Sequence, residues 1–415
     1  MERKVWIDNL RWVTVVLVVL YHVLYLFNAE GTFGGIGGFA PVQYQDVVLY
    51  VLYPWFMLLL FVVAGMSSRY ALEGLEAKLG DRRAAHRRFV RQRTLKLLVP
   101  STVGLFVYHW MTGWLNMTAT GGYLPEGLPA LVRYFIFALT GIGPLWFVQD
   151  LWVFSLLLVV VRLLDRRDRA YALCGRLGGL SAITVTVVLM ALAALFWGVA
   201  QVYVRPEQTE GSLAGLLNLY RPLFYLIGFL TGYFVLSHEK VTDALASQRW
   251  ALLLIGVTCA VVFTVTNFGA DYTMLSAARL TNIFAWWAVL AMLGCFKAWA
   301  GRMSAFGRYM TRSSYGIYIV HYLPLLFLAW TLKNHTALPA WAVYAVMLVA
   351  AFPVSVAIYE TLRRIPLVRW AVLGMKASPQ PSPKGRERRA VVISPPLHEI
   401  EKLQSIKNSY NSQNS

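Results

Sequence analysis

The sequence predicts an all-α, polytopic integral membrane protein, and three observations support this prediction. Hydrophobic residues make up 58% of the 415 residues and charged residues only 14%, whereas soluble domains carry roughly 25% charged residues. The charged residues are concentrated between long apolar segments. In such an apolar chain, the formal net charge of +18 indicates basic cytoplasmic loops rather than a nucleic-acid partner. The composition therefore excludes a soluble enzyme and a disordered chain.

About ten segments are long and apolar enough to cross a bilayer, which takes about 20 residues per helix. The loops on the predicted inner side carry 32 of the 38 Lys and Arg residues. This bias predicts that both termini are cytoplasmic. The predicted spans are 10–28, 47–66, 95–113, 145–163, 181–200, 216–236, 250–267, 280–298, 314–332 and 341–361.

Two further segments differ from these spans. Residues 129–139 are apolar but too short to span, so they predict an interfacial or re-entrant piece. Residues 377–415 are rich in Ser, Pro and basic residues, which predicts a disordered cytoplasmic tail that is attracted to anionic membrane lipid. The membrane domain is accordingly assigned to residues 1–376. Because the three cysteines are widely spaced and no Cys-x-x-Cys or His-Glu-x-x-His motif occurs, no metal site is expected.

Ionisable residues inside membrane spans are energetically expensive and are therefore functional candidates. Arg11 and His22 are the most informative pair, since eleven residues at 100° each complete about three turns and place both side chains on one helix face, about 16 Å apart. An arginine near the inner surface suits a phosphate or carboxylate, and a histidine deeper in suits a general base, a proton carrier or a ligand. Membrane anchoring and interhelical hydrogen bonding are the alternatives. The intramembrane ionisable residues are Arg11, His22, His109, Asp150, Arg221, His321 and Glu360.

A second basic pair lies where the third predicted span begins. Arg93 and Lys96 are three residues apart, so they share a helix face. Together they would suit the phosphates of a nucleotide-like donor, with ordinary positive-inside charge as the alternative. On these residues alone, an enzyme and a proton-coupled transporter of a polar solute remain equally supported.

Five motifs, in order, show a likeness to a known family. The motifs are DNLRWVTVVLVVLYHV (8–23), FVVAGMSS (61–68), FVRQRTLK (89–96), PLWFVQDLWVF (144–154) and SSYGIYIVHYLP (313–324). Together they make residues 5–375 resemble the membrane acyltransferase-3 family. IYETLRRIPLVRW (358–370) is further similar to the branch of that family that includes a periplasmic glucan succinyltransferase.

The resemblance implies a multi-pass enzyme of the bacterial inner membrane. It would transfer an acetyl or succinyl group from cytoplasmic acyl-CoA to a hydroxyl of an extracytoplasmic carbohydrate. The family's essential Arg and His correspond to Arg11 and His22, and its basic pair for donor handling corresponds to Arg93 and Lys96. Lys96 replaces an arginine of the family pattern, which keeps the charge but loses the bidentate fork.

We accordingly expect Arg11, Arg93 and Lys96 to hold the phosphates of acyl-CoA and His22 to act as general base. The expected roles of the remaining candidates follow from their positions and from the motifs. Asp150 would orient a histidine or bind sugar hydroxyls, and His321, which belongs to a family motif, would be catalytic or structural. Arg221 and Trp146 would bind the carbohydrate acceptor or, for Arg221, a dicarboxylic acyl group.

Overall fold

Helices form the regular secondary structure throughout the part of the chain that the structure describes. This computed structural model describes residues 4–29, 35–119, 124–203, 221–270, 275 and 278–375, with only the backbone of residues 201–203. Within these residues there is no β-strand, which confirms the all-α class. The predicted tail, residues 377–415, lies outside the described residues.

The helices follow one another with short connections. In the first half of the chain they are α1 (Val5–Tyr25), α2 (Val47–Leu52), α3 (Phe56–Leu79), α4 (Arg82–Arg93), α5 (Trp110–Ala119), α6 (Ala130–Thr140), α7 (Trp146–Leu164), α8 (Arg169–Gly175), α9 (Ala182–Ala191) and α10 (Ala193–Tyr203). In the second half they are α11 (Pro222–Thr231), α12 (Glu239–Ser247), α13 (Arg249–Asn267), α14 (Arg279–Trp299), α15 (Ala305–Val320), α16 (Tyr322–His335), α17 (Ala340–Leu362) and α18 (Pro366–Leu373).

Most of the predicted spans correspond to long apolar helices. Among the described residues, seven helices are long and apolar enough to cross a membrane, and α15 and α16 together form an eighth candidate that is bent by 56°. These eight match eight of the ten predicted spans, so the protein is a polytopic membrane protein. The predicted sixth span is the shorter apolar helix Pro222–Leu236, since residues 204–220 lie outside the described part.

The predicted third span is not one regular α-helix. Its residues form two π-helical turns, Thr94–Leu98 and Leu105–His109, before α5 begins. Pro100 lies between the two turns, and a proline lacks the N–H that would continue an α-helix. Lys96 and His109 both lie within π-helical turns, which often occur at functional sites.

The predicted ninth span is broken at His321, where α15 ends and α16 begins. Pro324 lies three residues further on, so the carbonyl of Val320 has no helical N–H to accept. The hydroxyl of Tyr108 donates to this carbonyl at 3.1 Å. The break is therefore stabilised by a neighbouring segment, and it places His321 at the bend.

Close helix packing fixes the position of α3, which carries part of the candidate site. A Cβ at Gly65 would lie 1.9 Å from the carbonyl oxygen of Phe229, and one at Gly232 would lie 2.1 Å from that of Val62. Only glycine permits this approach, as in small-residue contacts between membrane helices. Any substitution at Gly65 or Gly232 would push α3 and α11 apart.

Residues 129–139, predicted to be interfacial or re-entrant, form the 11-residue helix α6. A Cβ at Gly113 would lie 1.9 Å from the carbonyl oxygen of Phe137, and Tyr134 donates to the carbonyl of Phe106 at 2.5 Å. Its outward side chains are apolar, with Leu131 67% exposed. This short helix therefore packs against α5 and is too short to span the bilayer alone.

Candidate functional site

Two neighbouring serines near the predicted inner end of α3 each hold one predicted arginine. Arg11 of α1 donates through Nη2 to Ser67 Oγ at 2.6 Å, and Arg93 at the end of α4 donates through Nη2 to Ser68 Oγ at 2.8 Å. Each serine hydroxyl donates to the carbonyl four residues earlier, at 2.7 and 2.8 Å. Because a hydroxyl carries one hydrogen, this leaves both serine oxygens as acceptors for the guanidinium groups.

Lys96 lies close to the same two arginines. Its Nζ lies 5.2 Å from the centre of the Tyr315 ring, and the Tyr315 hydroxyl donates to the Lys96 backbone carbonyl. Electrostatic repulsion acts between Arg93 and Arg11, and Lys96 is repelled by both. The three basic residues that the sequence singled out therefore lie together, and we call them the cation cluster.

The cation cluster carries excess positive charge. Arg11 forms a salt bridge with Asp8 at 3.4 Å, while in the described part of the chain neither Arg93 nor Lys96 forms one. Three clustered cations with one nearby carboxylate repel one another, and an anion placed among them would relieve that repulsion. Guanidinium and ammonium groups are the usual protein ligands of phosphate.

A buried polar network fixes the end of α3 that carries the serines. Arg69, which directly follows Ser68, donates to Asp168 at 2.6 Å, and Arg162 of α7 donates to Glu76 at 2.5 Å. Both arginines also approach the hydroxyl of Tyr233, at 3.4 and 2.9 Å. Arg69 and Arg162 are 6% and 3% exposed. Since buried ion pairs tolerate little displacement, the network holds the ends of α3 and α7 in register.

A pair of histidines forms the second part of the site. His321 Nε2 lies 3.1 Å from His22 Nδ1, within hydrogen-bonding distance. His22 Nδ1 also lies 2.8 Å from the carbonyl oxygen of Val18, and His321 Nδ1 lies 2.6 Å from that of Tyr318. The sequence predicted both histidines as site residues but did not predict that they form a pair.

These contacts determine the tautomers of the two neutral rings. A carbonyl only accepts, so the Nδ1 next to the Tyr318 carbonyl must carry the hydrogen of the His321 ring. His321 Nε2 is then an acceptor, and His22 Nδ1–H is shared between His321 Nε2 and the Val18 carbonyl. This assignment leaves the lone pair of His22 Nε2 available to take a proton, as a general base requires.

His22 retains access that its partner lacks. His321 is 0% exposed, whereas His22 is only partly buried. The rings of Tyr25 and Tyr322 surround His22, with centroids at 6.2 and 5.3 Å. His22 is therefore the member of the pair that a substrate can reach.

The two parts of the site lie at different depths along α1. Arg11 and His22 belong to the same helix and are separated by about 16 Å at 1.5 Å per residue. Tyr315 and Tyr318 of α15 connect the same two parts, since Tyr315 contacts Lys96 and Tyr318 contacts His321. The arrangement is a charged region at one end and a histidine pair near the middle of the membrane.

The remaining predicted site residues lie elsewhere. Asp150 of α7 is 1% exposed, and its Oδ2 has no hydrogen-bond partner in the described part of the chain. Trp146 packs on Tyr225 at 5.3 Å between ring centroids. Arg221 donates to Asn282 at 2.6 Å. No described hydrogen bond joins Asp150 to the histidine pair, so its expected role as an orienting residue is not visible in this conformation.

Two of the intramembrane ionisable residues were not assigned to the site. Glu360 accepts from the Tyr309 hydroxyl at 2.9 Å and pairs with Arg363 at 2.6 Å, so it links α15 to α17. His109, by contrast, is 3% exposed, and its Nε2 has no hydrogen-bond partner among the described residues.

The sequence analysis missed the residues that position the charged side chains. Ser67, Ser68, Tyr315 and Tyr318 all lie within the quoted motifs FVVAGMSS and SSYGIYIVHYLP. A signal was therefore present, but contacts between residues far apart in the chain are not encoded in local spacing. No group of three or more His, Cys, Asp or Glu residues in the described part could hold a metal ion.

The fold and the site define a polytopic membrane protein with a cation cluster and a histidine pair inside its helical bundle. A family model described as an acyltransferase domain matches residues 4–360. The chain therefore belongs to the acyltransferase-3 family and is a membrane acyltransferase that transfers groups other than aminoacyl groups. No curated protein and no solved structure matches the chain.

Proposed function

We propose that the protein transfers an acyl group from cytoplasmic acyl-CoA to a hydroxyl of a carbohydrate on the opposite side of the membrane. The observation that carries this proposal is the arrangement of α1, in which Arg11 joins the cation cluster and His22 joins the histidine pair. A donor with a charged nucleotide end and a long uncharged arm fits such a site, because its two ends need different surroundings.

In this proposal the cation cluster holds the phosphates of acyl-CoA. Ser67 and Ser68 fix two of the three cations by hydrogen bonds, so the charges are in place before the donor binds, which reduces the entropy lost on binding. The pantetheine arm would then extend past Tyr315 and Tyr318 towards His22. The cluster lies on the side with the basic loops, which the charge bias predicts to be cytoplasmic.

His22 would act as the general base. Its Nε2 takes the proton of the acceptor hydroxyl while the hydroxyl oxygen attacks the thioester carbonyl carbon. The tetrahedral intermediate collapses, the carbon–sulfur bond breaks, and the CoA sulfur leaves with the proton returned from His22. A new ester and free CoA result. His321 Nε2 accepts from His22 Nδ1–H, so it holds the ring in the required tautomer and stabilises the positive charge that develops on it.

The acceptor would bind on the outer side of the histidine pair. Trp146 is partly buried and lies beside Tyr225, which offers an aromatic surface to a sugar ring. Asp150 supplies a buried carboxylate with an unpaired oxygen that suits sugar hydroxyls. Arg221, fixed by Asn282, would bind the acceptor or the free carboxylate of a succinyl group. We therefore propose acetyl or succinyl as the acyl group, a glycan of the envelope as the acceptor and the bacterial inner membrane as the location.

Acyl transfer in membranes that contain the protein tests the proposal. Radiolabelled acetyl-CoA and succinyl-CoA are supplied separately on the cytoplasmic side of inverted vesicles, and label is followed into the glycan fraction of the cell envelope. We expect one donor to label the glycan only in vesicles that contain the protein. Equal labelling in vesicles without the protein, or labelling of lipid alone, would contradict the carbohydrate acceptor.

A further inference from the structure

The segment that precedes the outer end of α5 carries a stripe of buried polar side chains whose role the catalytic proposal does not use. His109, Thr112 and Asn116 follow one another at intervals of three and four residues. At about 100° per residue this spacing keeps all three within one narrow face of the helix. We call them the polar stripe.

Two members of the polar stripe are buried without a protein partner. His109 is 3% exposed and Thr112 is 1% exposed, and in the described part of the chain neither His109 Nε2 nor Thr112 Oγ1 has a hydrogen-bond partner. Burying such groups unpaired costs on the order of 1–3 kcal/mol each. Within a membrane protein, polar groups of this kind usually face a water-filled path or a ligand.

The inner end of the polar stripe lies beside the histidine pair. Tyr108 donates to the carbonyl of Val320 at 3.1 Å, which fixes this segment against the residue just before His321. His109 also interacts electrostatically with His321. The stripe therefore begins next to the proposed catalytic residues and continues along α5 to Asn116, away from the basic loops.

The neighbouring face of the same segment is closed by tight packing. A Cβ at Gly113 would lie 1.9 Å from the carbonyl oxygen of Phe137, and a Cβ at Gly141 would lie 2.0 Å from that of His109. This packing against α6 leaves no room for a ligand on that side. It also holds the segment rigid, so the polar stripe keeps its direction relative to the histidine pair.

We propose that the polar stripe lines the route by which a polyhydroxylated acceptor reaches His22 from the outer side of the membrane. This inference rests on the proposed function, since the route would deliver the hydroxyl that receives the acyl group. His109 and Thr112 offer donors and acceptors of the kind that hydroxyl groups exchange in water. A transferred sugar would thus replace its hydration by contacts with the stripe.

Cysteine labelling from the outer side tests the route without relying on catalysis. In a background with Cys174, Cys259 and Cys295 replaced by alanine, Thr112→Cys is treated with a membrane-impermeant cationic methanethiosulfonate. Leu115→Cys is the matched control, because Leu115 is equally buried at 1% exposed and lies one turn nearer the outer end of the same helix. Size-exclusion chromatography confirms that both variants are folded.

We expect the reagent to label Thr112→Cys roughly tenfold faster than Leu115→Cys, because accessible thiols react and buried ones do not. Equal rates, or faster labelling of Leu115→Cys, would overturn the inference, since depth alone would then govern access. Labelled Thr112→Cys should also lose transfer to the envelope glycan while it still hydrolyses acyl-CoA with water. Loss of both activities would assign this position to the donor side and contradict the route. If the unlabelled protein transfers no acyl group, the proposed function fails while the labelling result stands.

Discussion

His22 Nδ1 lies 3.1 Å from His321 Nε2, although the two residues are 299 positions apart in the chain. The contact depends on the bend between α15 and α16, which places His321 at the break rather than within a continuous helix. It turns a histidine that the sequence had marked as a catalytic candidate into the orienting partner of another. Several variants distinguish these two roles.

Replacing His22 by alanine should lower kcat for acyl transfer by about 10²- to 10⁴-fold, the usual contribution of a general base. The KM for acyl-CoA should change little, since the cation cluster is intact. Labelled acyl transfer in membranes measures both constants. His335→Ala is the matched control, because His335 is an exposed histidine at the far end of α16. Undiminished transfer by His22→Ala protein at normal expression would exclude the general-base role.

His321→Ala should lower kcat by roughly tenfold to a hundredfold, the effect of losing one hydrogen bond to a charged ring in the transition state. His321→Gln should keep more activity than His321→Ala, because its side-chain oxygen can accept from His22 Nδ1–H. Combined with His22→Ala, neither variant should lower kcat further, since the pair acts as a unit. Additive losses in the double variant would show that His321 acts independently of His22.

Ser67→Ala and Ser68→Ala should each raise the KM for acyl-CoA by about threefold to tenfold, as expected for one lost hydrogen bond. The kcat should stay within error, because neither serine is near the histidine pair. Ser355→Ala is the control, since Ser355 is a buried serine whose described hydrogen bond reaches only the carbonyl four residues earlier. A fall in kcat with KM unchanged would refute the assignment of the serines to the donor site.

Arg162→Met should destabilise the protein by about 3–5 kcal/mol, because it leaves the carboxylates of Glu76 and Asp168 without a buried partner. Thermal unfolding in detergent measures this loss. Arg166→Met is the control, since Arg166 is exposed and lies in the same cytoplasmic stretch. An unchanged unfolding temperature of Arg162→Met protein would mean that the network does not hold α3 and α7 together.

The class of fold and the position of most spans could be predicted from the sequence, because hydrophobic length and charge bias are local properties. The two interrupted spans could not be predicted as such. Pro100 and Pro324 signal a possible break, but whether a chain breaks there depends on partners such as the Tyr108 hydroxyl, which takes the freed Val320 carbonyl.

The candidate site shows the same division. The spacing of Arg11 and His22 is a property of one helix, and the motifs supplied Arg93, Lys96 and His321 as candidates. Their grouping into a cluster and a pair arises from contacts between α1, α3, α4 and α15, which no local pattern encodes. The serines were missed because Ser is common at helix positions where it bonds only its own backbone.

The most direct test of the account compares Arg93→Glu and wild-type protein with two donors, acyl-CoA and the matching acyl-pantetheine, which lacks the phosphates. The account predicts that Arg93→Glu raises the KM for acyl-CoA by at least about tenfold and leaves kcat and the KM for acyl-pantetheine unchanged. Arg91→Glu, an exposed position on the same helix, should behave like wild type. An equal loss with both donors would contradict the central claim that the cation cluster holds the phosphates of the donor.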